Sequence, residues 1–117
     1  MLILTRNAAA IALALTAGLV MRLGAAGQDE AAKKGAEVYA AQKCSVCHSI
    51  AGEGSKRNPL DGVGKKLTAD EIREWIVHPT EMAKKVSSTK KPPMPDKYSK
   101  LPAAEIDALV AYMQSLK

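Results

Sequence analysis

Apolar positions near the end of the chain recur with helical period. Ile106, Leu109, Val110, Met113 and Leu116 fall on one stripe, and Pro102, favourable as a first helical residue, stands ahead of them. The pattern predicts a long amphipathic helix. Thr68-Ala69-Asp70-Glu71 fits a capping box, with Leu67 and Ile72 at the two staple positions, so a second helix starts there. Ile72, Trp75 and Ile76 share one of its faces, and Pro79 makes His78 a poor place for it to continue. A third helix is expected from Asp29 to about Lys43, a proline-free run rich in alanine with two acids at its start. Gly35 costs that helix roughly 1 kcal/mol relative to alanine. Either another backbone packs close to it, with Tyr39 one turn on, or it is a tolerated weak position.

The segments between these helices are irregular. Ile50 to Lys66 is rich in glycine and charge, broken by Pro59, and reads as loop. Its Gly52-Glu53-Gly54 and Gly62-Val63-Gly64 fragments lack the third spaced glycine and follow no apolar strand, which argues against nucleotide binding. Thr80 to Lys100 carries lysines, serines and Lys91-Pro92-Pro93-Met94-Pro95, a stiff extended stretch that cannot be regular helix. No window alternates as a sheet requires, so the expected fold class is all-α.

At the N-terminus, Arg6 precedes an apolar run from Ala8 to Val20, and Gly24-Ala25-Ala26-Gly27 offers small residues for a peptidase. This reads as a cleavable secretory signal over residues 1–27, followed by one domain over residues 28–117. Arg22 closes the apolar run short of the roughly 20 residues that span a bilayer. No cysteine near the cut offers a lipid anchor, so no stable membrane insertion of the mature chain is expected. The implied location is exported, periplasmic or an equivalent oxidising compartment.

Charge changes the picture little. The chain has 17 basic and 12 acidic residues, and with Arg6 and Arg22 removed the mature domain keeps a small basic excess. Without aromatic interleaving, that is no footprint for nucleic acid. Composition matters more: there is no phenylalanine, one tryptophan and three tyrosines, which leaves a small domain short of large core side chains. Two cysteines three apart would close a loop too short to compensate as a disulfide.

Those cysteines belong to Cys44-Ser45-Val46-Cys47-His48, a C-x-x-C-H run in which two thiols can add to the vinyl groups of haem while the histidine reaches the iron. A thiol–disulfide exchange site would open a helix after a strand, and none is expected here. A zinc site would need four ligands, and His78 stands alone. For the second axial position Met94 is the leading candidate, because flanking prolines hold it with little entropy left to lose. Met113, on an apolar stripe, fits a core role better. Met82 and His78 remain outsiders.

With this motif, the proline-flanked methionine and the closing helix, the chain resembles the small single-haem, methionine-ligated c-type cytochromes of bacteria from Gly35 to about Leu116. The resemblance implies a cytochrome c-like fold of about three to four helices around one covalent haem c, with His48 and Met94 as metal ligands. It implies that Gly35 and Tyr39 meet Leu109 and Tyr112, and that a proline carbonyl at Pro59 accepts the hydrogen bond from the His48 ring. It offers Trp75 as a donor to a haem propionate, against the alternative of a half-buried core anchor.

The function expected is one-electron transfer between redox partner proteins, without enzymatic catalysis, by a monomer. Lys43, Lys56, Arg57, Lys65, Lys66, Lys84, Lys85, Lys90 and Lys91 could steer a partner with an acidic docking face, or form only a solvated face. The rival function is a haem with an open or labile sixth site, acting as small-ligand sensor or peroxidase.

Overall fold

A computed structural model describes the backbone from Ala17 to Lys117 and the side chains from Gly27 onward. The expected signal lies outside the described residues as far as position 16. Five α-helices order the described chain: α1 (Ala17–Ala41), α2 (Val63–Lys66), α3 (Ala69–Val77), α4 (Pro79–Lys85) and α5 (Ala103–Ser115). The three helices expected from the pattern are α1, α3 and α5, but α1 begins at Ala17 rather than Asp29 and ends at Ala41. Asp29 and Glu30 therefore lie inside it rather than at its start, and its backbone runs unbroken through the expected boundary at residues 27 and 28.

Helix α5 is central because its stripe is apolar over three turns. Ile106, Leu109, Val110 and Met113 are buried with Val38 of α1 and with Ile72 and Ile76 of α3 in one cluster. Met113 is thus a core residue. At Gly35, α1 and α5 come close enough that a β-carbon there would overlap the Ala108 carbonyl and lie 2.5 Å from the Tyr112 Cβ. Of the two readings of this glycine, close backbone packing is the one observed. The partner is Ala108 rather than Leu109, whose side chain goes to the core. Tyr39 and Tyr112 meet edge to face beside it, with ring centroids 5.8 Å apart.

Helix α3 begins as its capping box demands. The Glu71 N–H donates to Thr68 Oγ1 at 3.2 Å and the Thr68 N–H donates to Glu71 Oε2 at 2.7 Å. Thr68→Ala is expected to cost about 1 kcal/mol, read as a lower urea midpoint at unchanged slope.

Two segments read as irregular contain regular structure. Across Ile50–Lys66 and the preceding Ser49 lie an antiparallel pair of two-residue strands, β1 (Ser49–Ile50) and β2 (Glu53–Gly54), and the one-turn α2. Neither is long enough to leave a periodic trace in sequence. Helix α2 caps the end of α5: the Gly64 N–H donates to Leu116 O at 2.8 Å, and Gln114 Nε2 returns a bond to Leu67 O at 3.0 Å. Within Thr80–Lys100, α4 starts with Pro79 at its first position and ends on Lys84 and Lys85, and a 3-10 turn covers Asp96–Lys100. Pro79 therefore opens a helix as well as closing the previous one.

Candidate functional site

The C-x-x-C-H run follows directly on α1. Lys43 adopts a left-handed conformation (φ 56°), ends the helix, and feeds a 3-10 turn over Cys44–Val46. The Cys44 carbonyl accepts from both the Cys47 and His48 N–H groups, at 3.1 and 3.0 Å. That double acceptance curls the segment, so both thiols and the imidazole leave one tight turn. Both cysteines are free and half-buried.

What holds the turn comes from further along the chain. Gly54 of β2 lies against it with φ 102°, and a β-carbon there would run into the His48 carbonyl and approach Ser45 O at 3.0 Å. Only glycine allows that positive φ and that approach together. The Ser55 N–H donates to Ser45 O at 2.9 Å, and on the other side Ser49 pairs with Pro59 in a parallel bridge.

The same pairing sets the histidine. His48 Nδ1 lies 3.0 Å from the Asn58 carbonyl, and Asn58 Nδ2 returns a bond to Cys47 O at 3.3 Å. With Nδ1 donating to that carbonyl, Nε2 is the nitrogen left to coordinate. The acceptor is Asn58, one residue before the expected Pro59. Pro59 is exposed, and its place in the bridge with Ser49 leaves the preceding carbonyl aimed at the ring. A backbone acceptor leaves no residue-type signal, so sequence could give only its neighbourhood.

Two other candidates occupy an intermediate position. Trp75 is half-buried and is not among the side chains packed against the α1–α3–α5 cluster. Met94 is half-buried while Pro92, Pro93, Pro95, Asp96 and Lys97 around it are exposed. Met82 is half-buried on α4 and His78 is exposed between α3 and α4. A cleft lined by Val46, Cys47, Arg57, Asn58, Lys91 and Pro92 runs between the cysteine turn and the loop that carries Met94.

Tyrosines border this region. Burial, and then the neighbouring Cys44, push the Tyr39 phenol up to about 12, and its buried hydroxyl has no hydrogen-bond partner. Tyr98 is raised by burial and by Cys44 and Cys47, and burial is also the main cause that raises the Cys44 thiol. Among the described residues, no group of three or more His, Cys, Asp or Glu side chains could hold a bare metal ion.

A family model described as Cytochrome c matches residues 32–117. The chain belongs to the cytochrome c family. No curated protein and no solved structure matches it. The family binds covalently attached haem c with iron and carries electrons, and the mostly helical architecture agrees with its fold.

The residues of this cytochrome fit a haem. Two reduced thiols leave one turn, the adjacent imidazole is anchored through one nitrogen, and Tyr39 keeps a buried hydroxyl that the protein does not satisfy. Trp75 and Met94 are both partly shielded from water without belonging to the apolar core. No helix among the described residues is long and apolar enough to cross a membrane.

Proposed function

We propose that this cytochrome is an exported one-electron carrier in which Cys44 and Cys47 would attach the haem covalently, His48 and Met94 would ligate its iron, and no enzymatic activity is present. The observation that carries the reading is the His48 ring held at 3.0 Å by the Asn58 carbonyl beside two free thiols. When bound, haem supplies a one-electron Fe(III)/Fe(II) couple.

The chain's own residues supply position and surroundings. The Asn58 carbonyl orients the imidazole and raises its basicity. The prolines flanking Met94 limit the entropy that its sulfur loses on being held. Trp75, half-buried outside the apolar cluster, offers an indole N–H to an acidic substituent. A leader over residues 1–27 would deliver the chain to an oxidising compartment, and the mature domain would work there as a monomer.

The visible spectrum of ferric protein, matured in a host that attaches c-type haem, tests the reading. A weak near-red absorption from thioether sulfur supports it. High-spin ferric iron, with ready uptake of carbon monoxide on reduction, supports the sensor or peroxidase alternative instead.

The partner surface lies around the cleft. Arg57 and Lys91 line it, Val46 beside them is 67% exposed, and Lys43, Lys56 and Lys90 are exposed in the same segments. Electron-transfer rates with an acidic partner should fall about tenfold between roughly 10 mM and 0.2 M salt, as charge steering is screened. Rates indifferent to salt in stopped-flow mixing would remove the acidic-partner reading.

A further inference from the structure

The loop that carries Met94 has almost no backbone hold on the rest of the protein. Pro92, Pro93 and Pro95 have no N–H to donate. Among the described residues, no backbone–backbone hydrogen bond involves any position from 89 to 95. Side chains take over at the two ends. Lys90 Nζ donates to Arg57 O at 3.2 Å. At the other end the Asp96 carboxylate accepts from Thr80 Oγ1 at 2.7 Å and from the Thr80 N–H at 3.4 Å.

The two tethers differ in stiffness. Lysine reaches its acceptor through four rotatable methylenes and a freely turning ammonium, so it restrains little. Thr80, by contrast, is β-branched and follows Pro79, whose side chain is fully buried at the start of α4. Its hydroxyl and amide meet the two oxygens of one carboxylate, which is a charge-assisted contact with a defined direction. Asp96 in turn opens the 3-10 turn, where Ser99 Oγ donates back to Asp96 O at 2.9 Å and Tyr98 packs against the core.

We infer that Thr80 and Asp96 are positioning residues for Met94: together they fix the end of the proline loop two residues beyond its sulfur. This rests on the reading of Met94 as an iron ligand. Two extended residues span about 7 Å, and Pro95 stiffens that link, so a shift at Asp96 is passed to Met94 rather than absorbed. Releasing the clamp raises the population in which the loop has swung away and the sixth position is open. An external ligand that binds only the open form then gains apparent affinity in proportion.

Imidazole, titrated into the ferric holoprotein and followed by the visible spectrum, measures that population. Thr80→Val removes the hydroxyl while keeping shape and the N–H. It should raise the apparent imidazole affinity about fivefold, a moderate figure because the pair is exposed to water. Thr80→Ser restores the hydroxyl and should return the affinity to within about twofold of the parent. Arg73→Ala breaks an exposed ion pair of 2.6 Å between α3 and α5, away from the loop, and controls for a general loss of stability.

An unchanged affinity in Thr80→Val, or an equal rise in Arg73→Ala, overturns the positioning role while the near-red band of the parent keeps Met94 as ligand. If the parent lacks that band and Met94→Ala changes neither spectrum nor imidazole affinity, the ligand reading itself falls and the positioning role falls with it.

Discussion

With Met94 as the proposed iron ligand, Met94→Ala is expected to abolish the near-red absorption of the ferric protein and to lower its reduction potential by roughly 100 mV or more, because the soft thioether that favours reduced iron would be gone. The size of the effect follows from what can replace the sulfur. Water or an external base favours ferric iron instead, and alanine in a stiff proline segment cannot be exchanged for a neighbouring side chain without moving the loop. Met113 is 6% exposed within the apolar cluster and Ile106, Leu109 and Val110 share its helix face, so it cannot substitute. Among the described side chains, Met82, half-buried on α4, is the other methionine outside the apolar cluster. Spectra and potentiometry of Met94→Ala and Met82→Ala side by side decide between them: a band lost in the second variant and kept in the first would move the ligand to α4.

Gly35→Ala is expected to destabilise the protein by about 2 kcal/mol or more, against the direction that helix propensity alone would give. In an isolated helix, alanine for glycine gains roughly 1 kcal/mol. Here the added methyl would occupy the same space as the Ala108 carbonyl and sit 2.5 Å from the Tyr112 Cβ, and both belong to the helix that organises the core. Backbone cannot rotate aside as a long side chain can, so α1 and α5 must separate, loosening the Tyr39–Tyr112 contact and the burial of Val38. Thermal or denaturant unfolding of the holoprotein measures the outcome. Equal or greater stability in Gly35→Ala would mean that the helices yield at little cost and that their close approach does not hold the fold.

The extent to which sequence foretold structure depends on how local each signal is. The capping box at Thr68 and Glu71, the stripe on α5 and the alanine-rich body of α1 are contained in single helices, where propensity and period are sufficient. By contrast β1, β2 and α2 are shorter than any period, and they exist because neighbours support them. Ser49 is flanked by Gly54 on one side and Pro59 on the other, and α2 is held against the last turn of α5. Helix α4 had a local signal, proline at the first position with Glu81 early and Lys84 and Lys85 late, which the lysine-rich surroundings obscured.

Sequence by itself determined the all-α class, the helices α1, α3 and α5, the C-x-x-C-H run at Cys44, Cys47 and His48, and membership of the cytochrome c family over residues 32–117. These rest on side-chain identity at fixed short spacings, which one turn of chain converts into geometry. Only the tertiary structure decided which carbonyl meets the His48 ring, why residue 35 must be glycine, that Trp75 stays outside the apolar cluster, and how Asp96 is tied to Thr80. Each of those is a contact between segments ten or more residues apart, or the lack of one. Any residue has a carbonyl, and nearly any pair of polar side chains could bond, so composition and spacing do not single them out. The packing of α1, α3 and α5 selects them by bringing particular stretches of backbone within reach.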